Sequence, residues 1–322
     1  MNTVKVFAEG VVKQIHDYLP AEYGEVQCEI QENLKNNGVR MVGVEFNKPD
    51  SIVSPVIYME SFYDDIKRGT EIESVMQNIA ECYIQQDQTA ISINENSLMS
   101  YESIRQWIEP VLLNTAENRE LLAQMPHREM ADLSIFYSVV FSHQSKGMQA
   151  SMKIKNNHME QWGMSEQDLY DLAMRNMERK PDHKLISMTD TLRSILNGEM
   201  EQWNLLNENQ SLMVIPPGEM YVLSNGRSIY GAALLAVPGI MERVNHIFPD
   251  GYYILPSSVH ETIILPKPCG ITAKELGEMV RDINRTQVSR EERLSDCVYE
   301  YDKEKSAIRQ VPESVRRRER ER

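Results

Sequence analysis

The chain has 322 residues, with 34 Lys+Arg against 48 Asp+Glu, a formal net charge of −14, and 41% hydrophobic residues. That composition is globular rather than disordered, and the length fits two modest domains of roughly 100–200 residues each. The acidic balance argues against a nucleic-acid-binding face on the main body, because a phosphate lattice would meet a repulsive field.

The N-terminal part reads as helix, hairpin, helix. Val4, Phe7, Val11, Ile15 and Tyr18 recur at spacings of three and four, one apolar stripe on a helix that stops at Pro20. Val26, Cys28, Ile30 and Leu34 alternate with polar residues, Lys35-Asn36-Asn37-Gly38 supplies a turn, and Val42, Val44 and Phe46 return as a second strand. A third strand is expected over Val53 to Met59, at an edge because of Pro55. Thr70 and Glu73 form a capping box ahead of Ile72, Val75, Met76, Ile79, Ala80 and Tyr83, the spacing of a buried helix face. Gln85-Gln86-Asp87-Gln88 then reads as a linker, so the first domain is placed at 1–88.

The second region, 89–285, is expected to be a mixed α+β assembly with antiparallel strands. Helices are predicted near Tyr101–Ile108 and Ala116–Leu122, with a short extended piece at Val111–Leu113 between them. Leu133–Phe141 is rich in β-branched and aromatic residues and reads as a strand, answered by Gln149–Ile154 across a loop with Gly147. Ser165 and Asp168 cap a helix with Leu169, Leu172, Ala173 and Met177 on one face. A further helix over Ile186–Leu196 ends at Gly198. Met220–Leu223 and Ile229–Leu235 flank Ser224-Asn225-Gly226-Arg227 and predict a hairpin. Pro238 opens a helix, Tyr252–Leu255 and Val259–Leu265 read as strands, and Thr272 with Glu275 caps a last helix. The buried face of that helix is predicted to be Leu276, Met279, Val280 and Ile283. Residues 286–322 lose apolar periodicity and are expected to be a charged, mobile tail. The last twelve residues hold five Arg and three Glu, so the rest of the chain is more acidic than the total conveys.

Cys28, Cys82, Cys269 and Cys297 form no CxxC pair, and the first twenty residues lack a signal-peptide core. The longest apolar stretch, Ile229–Met241, falls short of the roughly 20 residues that span a bilayer. A cytoplasmic protein that does not engage the membrane is therefore expected. Phosphate-binding glycine loops and zinc-ligand spacings are absent, so neither a cofactor nor a metal is expected.

The most interesting polar cluster is Pro256-Ser257-Ser258-Val259-His260-Glu261 between two apolar strands. Ser257 or Ser258 could serve as nucleophile or oxyanion donor with His260 as base and Glu261 nearby, a hydrolase- or transferase-like site. The simpler reading makes the serines a turn and His260 an ordinary strand residue. His127, Arg128 and Glu129, at a strand entrance, could bind an anion or move a proton, or be a solvated loop with one ion pair. Tyr58, Glu60, Tyr63, Asp64 and Asp65 could line a polar pocket or hold a divalent ion, with a structural turn as the simpler reading. Asn225 is a turn residue first and a binding residue only distantly. The 19 methionines are expected to be core gap fillers, with a few on an adaptable surface.

Several strings also resemble a known pattern: Leu19-Pro20 with Tyr23, Lys35-Asn36-Asn37-Gly38, Pro55 with Ile57-Tyr58 and Phe62-Tyr63, and Pro126-His127-Arg128. Trp162-Gly163 with Leu169–Asn176, Tyr221–Asn225 with Gly231-Ala232-Ala233, and Ile254–Glu261 (an LPSSxHE motif) complete it. Over about residues 4–267 the chain resembles an uncharacterised bacterial domain family of unknown function, found chiefly in low-GC Gram-positive bacteria. The middle section is distantly similar to the YtpQ type. The resemblance implies a coherent bacterial protein and brings no activity with it. Two functions are carried forward: a non-catalytic binding or adaptor protein for a protein or small-molecule ligand, and the Ser/His enzyme.

Overall fold

The computed structural model describes residues 3–49, 54–89, 101–143, 148–197, 203–207, 215–256 and 258–312. Val53, Gly147, Gly198, Ser257 and the Arg316–Arg322 end, all used in the sequence reading, lie outside the described residues. The chain is an α+β protein, as its patterning predicts. It divides into two compact units, one of Met1–Arg105 with Phe141–Ala150 and one of Gln106–Val140 with Ser151–Arg322.

The first unit is built as helix, antiparallel sheet and helix pair. Helix α1 (Thr3–Gln14) runs into a 3-10 turn (Ile15–Tyr18), and strands β1 (Gln27–Leu34), β2 (Arg40–Asn47) and β3 (Val56–Tyr58) pair in that order. Asn37 and Gly38 take positive φ in the β1–β2 connection, as the Asn-Gly pair requires. Helix α2 (Glu60–Lys67) occupies a stretch read as a turn, and α3 (Ile72–Thr89) follows. Val75, Met76, Ile79, Ala80 and Tyr83 are buried as predicted, whereas Ile72 is 43% exposed. The Tyr83 ring stacks on Phe46 of β2 at 4.3 Å and meets Tyr23 edge-on at 5.4 Å. The Gln85–Gln88 linker is not found: helix hydrogen bonding continues through it to Thr89.

The acidic cluster of this unit is accounted for by local bonding. Glu60 accepts the Val42 N–H at 2.7 Å, Asp64 pairs with Lys67 at 2.8 Å, and Asp65 with Arg68 at 3.2 Å. Among the described residues no group of three or more His, Cys, Asp or Glu is placed to hold a metal ion.

The second unit holds β4 (Ile108–Asn114), β5 (His127–Met130), most of β6 (Leu133–His143) and the end of β7 (Met148–Lys153), followed by α4 (Asn156–Trp162) and α5 (Glu166–Glu178). Strand β6 lies between β4 and β5 and also pairs with β7. The His127–Glu129 segment is therefore a strand rather than a loop, paired antiparallel with β6 through a tight turn in which Ala131 has φ 59°. The Ser165/Asp168 capping box of α5 is present, and Leu169, Ala173 and Met177 are buried together with Met174.

A six-stranded sheet of order β13-β12-β10-β11-β9-β8 completes the unit. Its strands are β8 (His183–Ser187), β9 (Tyr221–Asn225), β10 (Tyr252–Leu255), β11 (Thr262–Pro266), β12 (Tyr299–Asp302) and β13 (Ala307–Gln310). Helices α6 (Met188–Asn197), α7 (Pro238–Ile247) and α8 (Ala273–Thr286) connect them. On one face α8 packs Leu276 and Val280 against Leu255, Ile263, Leu265 and Val298. At roughly 1.5–3 kcal/mol per fully buried aliphatic side chain, such contacts hold helix to sheet.

Four expectations are corrected here. Residues Ile186 and Ser187 belong to β8, so the helix begins only at Met188. The hairpin around Asn225-Gly226 does not form, because β9 pairs with β8 and β11, and 231–236 becomes a buried 3-10 helix. Helix α8 is turned about its axis: Asn284 faces inward and donates to Ser295 O at 2.9 Å and Asp296 Oδ1 at 2.8 Å. Met279 and Ile283, read as core, are consequently 40% and 44% exposed. Finally, residues 299–310 are not a tail but two strands of the sheet, with Tyr299 and Ile308 buried.

Candidate functional site

Between β10 and β11, residues 258–261 pack against the strap that follows β9. Val259–Glu261 does not extend β11, as the sequence reading has it, because its backbone bonds lead elsewhere. Ser258 N–H donates to Glu261 O, Val259 N–H to Glu292 O at 2.9 Å, and Ala232 N–H to Val259 O. The His260 carbonyl accepts the Ser224 hydroxyl at 2.8 Å. This loop is a knot tied to three other segments.

The described side chains of the proposed catalytic group, Ser258 and His260, address different partners. Ser258 Oγ accepts the backbone N–H of His260 at 3.0 Å. His260 Nδ1 accepts the Tyr230 N–H at 3.3 Å, and the two rings stack with centroids 6.0 Å apart. His260 Nε2 faces Glu292 Oε1 at 3.6 Å. Nδ1 is thus an acceptor, and the neutral ring carries its proton on Nε2, toward the carboxylate. Burial pushes the Glu261 carboxyl above the usual carboxylate range, while neighbouring His260 pulls it down. Activating a serine needs a ring nitrogen within hydrogen-bond reach of the hydroxyl. Here the ring is aligned by Tyr230 and Glu292 instead.

The strap carries unusual backbone. Ser228 has φ 52° and Tyr230 φ 54°, left-handed values that bulky side chains adopt only when their surroundings hold them. Asn225, 2% exposed, does the local holding: Oδ1 accepts from Arg227 N and Ile229 N, and Nδ2 donates to Ile229 O at 2.7 Å. Its amide is thus spent on its own loop. Gly231 is required by proximity, since a Cβ there would fall against the His260 carbonyl and 2.5 Å from Ser224 Oγ. Gly231→Ala is expected to cost about 1–3 kcal/mol in urea denaturation, as overpacking of a closed contact does. An unchanged midpoint would show that the strap does not depend on this contact.

The second cluster is split by the strand. Arg128 donates to Glu166 at 2.6 Å and Gln167 at 2.7 Å and lies 4.0 Å over the Tyr170 ring, so it clamps β5 to α5. The Tyr137 hydroxyl donates to the same Glu166 carboxylate, and burial pushes that phenol well above its ordinary range. His127 Nδ1 faces Met125 O at 2.9 Å. Arg128 and Glu129 are successive strand residues and point to opposite faces.

A charged group without a role in the sequence pattern is the most buried carboxylate among the described residues. Glu109 of β4 is 1% exposed and takes a two-pronged pair from Arg227 at 3.0 and 2.7 Å, with Lys180 as a second cation. Arg227 also lies 3.5 Å from Asp182. A carboxylate inside the run Ile108-Glu109-Pro110-Val111-Leu112 was the available signal, because a charge there demands a buried partner.

Fold and site therefore define an α+β protein whose polar clusters mostly clamp loops and helices to its sheets. The chain belongs to the family described as "Family of unknown function (DUF5688)", whose model matches residues 4–303. No curated protein and no solved structure matches it.

Proposed function

We propose that this is a non-catalytic cytoplasmic binding or adaptor protein that takes a protein partner on the apolar face of α6. The observation that carries the reading is that no side chain of α6 is buried, while Leu192, Ile195 and Leu196 are 52%, 74% and 81% exposed. Spaced at i, i+3 and i+4, they share one face, and exposed apolar patches of this kind mark interaction sites. The adaptable surface is thus made of Leu and Ile rather than Met; Met59, Met76, Met125, Met174, Met177 and Met241 are core. An open groove of about 230 Å³ that includes Pro216, Phe248, Pro249 and Lys267 is smaller than the roughly 300–1,000 Å³ of ligand pockets.

The cytoplasmic assignment is supported by four free cysteines, and no helix among the described residues is long and apolar enough to cross a membrane. The net charge of −14 supports a partner other than nucleic acid for the main body. The bacterial, low-GC Gram-positive origin and the likeness to the YtpQ type rest on the sequence strings given above. The alternative, a Ser/His hydrolase or transferase using Ser257, Ser258, His260 and Glu261, is supported only by their closeness in sequence. An anion site at His127, Arg128 and Glu129 is weakened by the bonds Arg128 already makes.

The test is the double variant Ile195→Glu, Leu196→Glu. Its melting curve should match wild type, since both side chains are exposed. Affinity for the partner that wild type retains from native lysate should fall by about 100-fold or more, at roughly 1.5–3 kcal/mol per side chain removed from the contact. Equal binding by both proteins overturns the reading. Turnover that is lost in Ser258→Ala and His260→Ala would favour the enzyme.

A further inference from the structure

We propose that His260 is a pH-operated latch on the strap 228–231, holding it closed while the ring is neutral and releasing it when the ring is protonated. The strap is held by backbone bonds that do not titrate, Ser228 N–H on Asn225 O and Ala233 N–H on Tyr230 O at 3.1 Å, and by side-chain contacts that include His260. Its start is fixed by the Asn225 amide and by Arg227 on Glu109, and its end by Gly231 wedged against the His260 carbonyl. Between them Tyr230 sits in a left-handed conformation, its N–H donating to His260 Nδ1 and its ring stacked on the imidazole.

That bond exists only if Nδ1 has a lone pair. A doubly protonated imidazole has two donors and no acceptor, so N–H would meet N–H. Among the described residues the titratable groups at the ring include Glu292, from the turn Arg290–Glu292, Glu261, next to it in the chain, and Tyr230. Protonation therefore strengthens the ring's attraction to Glu292 as it ends the hold on Tyr230. The rest of the knot does not titrate with the ring: Val259 N–H stays on Glu292 O, Ser258 Oγ on the His260 backbone, and β9 on β11. Release is confined to the strap: the Tyr230 N–H and ring come off the imidazole while the Tyr230 carbonyl keeps the Ala233 N–H.

Backbone hydrogen exchange of the 225–231 peptide, corrected for intrinsic rates, tests this at about pH 7.5 and about pH 5, either side of the ordinary imidazole range. Wild type should lose about ten-fold or more of its protection on acidification, with β10 and β11 unaffected. His260→Asn places an amide oxygen near the Nδ1 position, an acceptor that does not titrate, and should stay protected at both values. His260→Ala should be unprotected at both. Equal wild-type protection at the two values, acid loss in His260→Asn as large as in wild type, or loss spreading to β10 and β11 would each overturn the latch. Should the variants fail to fold, ring ¹⁵N and Tyr230 amide shifts in wild type must titrate together. A Tyr230 amide that ignores the ring's titration overturns it.

Discussion

Glu109→Ala is expected to destabilise the second unit by about 2–4 kcal/mol, the cost of taking the two-pronged carboxylate from a buried Arg227 that keeps Asp182 at 3.5 Å. Arg227, 11% exposed in its side chain, would lose both prongs of its pair, and Lys180 would lose the carboxylate it reaches. Tryptophan fluorescence reads this unit alone, because Trp107, Trp162 and Trp203 all lie within it. The urea midpoint should fall while the first unit, followed by exchange in α3, stays unchanged. The double variant Glu109→Leu, Arg227→Leu should cost less than the sum of the single changes, since each single change breaks the same two-pronged pair. Additive losses would mean that the two groups do not stabilise each other.

Much of the architecture is legible in the chain because local and tertiary preferences agree. The boxes at Ser165/Asp168 and Thr272/Glu275 form as written. The alternation around Lys35–Gly38 gives β1 and β2 in register. What escapes is held together from a distance. Strand β5 is four mostly polar residues, and only its pairing with β6 makes it a strand. In α8 the apolar residues 276, 279, 280 and 283 form an ordinary stripe about 100° wide, but the buried face is rotated from it to take in Gly277 and Asn284. The inward bonds of Asn284, made to residues 11 and 12 positions away, decide it. The candidate site follows the same division. Closeness of Ser258 and His260 is a property of the sequence, but the ring's partners are Tyr230 and Glu292, about thirty residues away on either side.

Asp132→Ala should cost about 2–4 kcal/mol and loosen the C-terminal strands, because it leaves buried donors without an acceptor. Asp132 sits in the β5–β6 turn and receives the Tyr299 hydroxyl at 2.5 Å and the Ser295 hydroxyl at 2.9 Å. Tyr299 is wholly buried between β10 and β13, so its hydroxyl depends on this partly buried turn for its acceptor. A turn in one sheet thereby holds the outer strands of another, and a segment read as a charged tail becomes part of the core. Tyr299→Phe removes one donor and keeps the carboxylate on Ser295, so its cost should be smaller, about 1–2 kcal/mol. The readout that separates this account from a general loss of stability is where proteolysis begins. Cleavage between Thr286 and Tyr299 should appear in Asp132→Ala at urea concentrations where β10 and β11 still resist exchange. If the first cuts fall elsewhere, or the midpoint does not move, Asp132 does not anchor these strands.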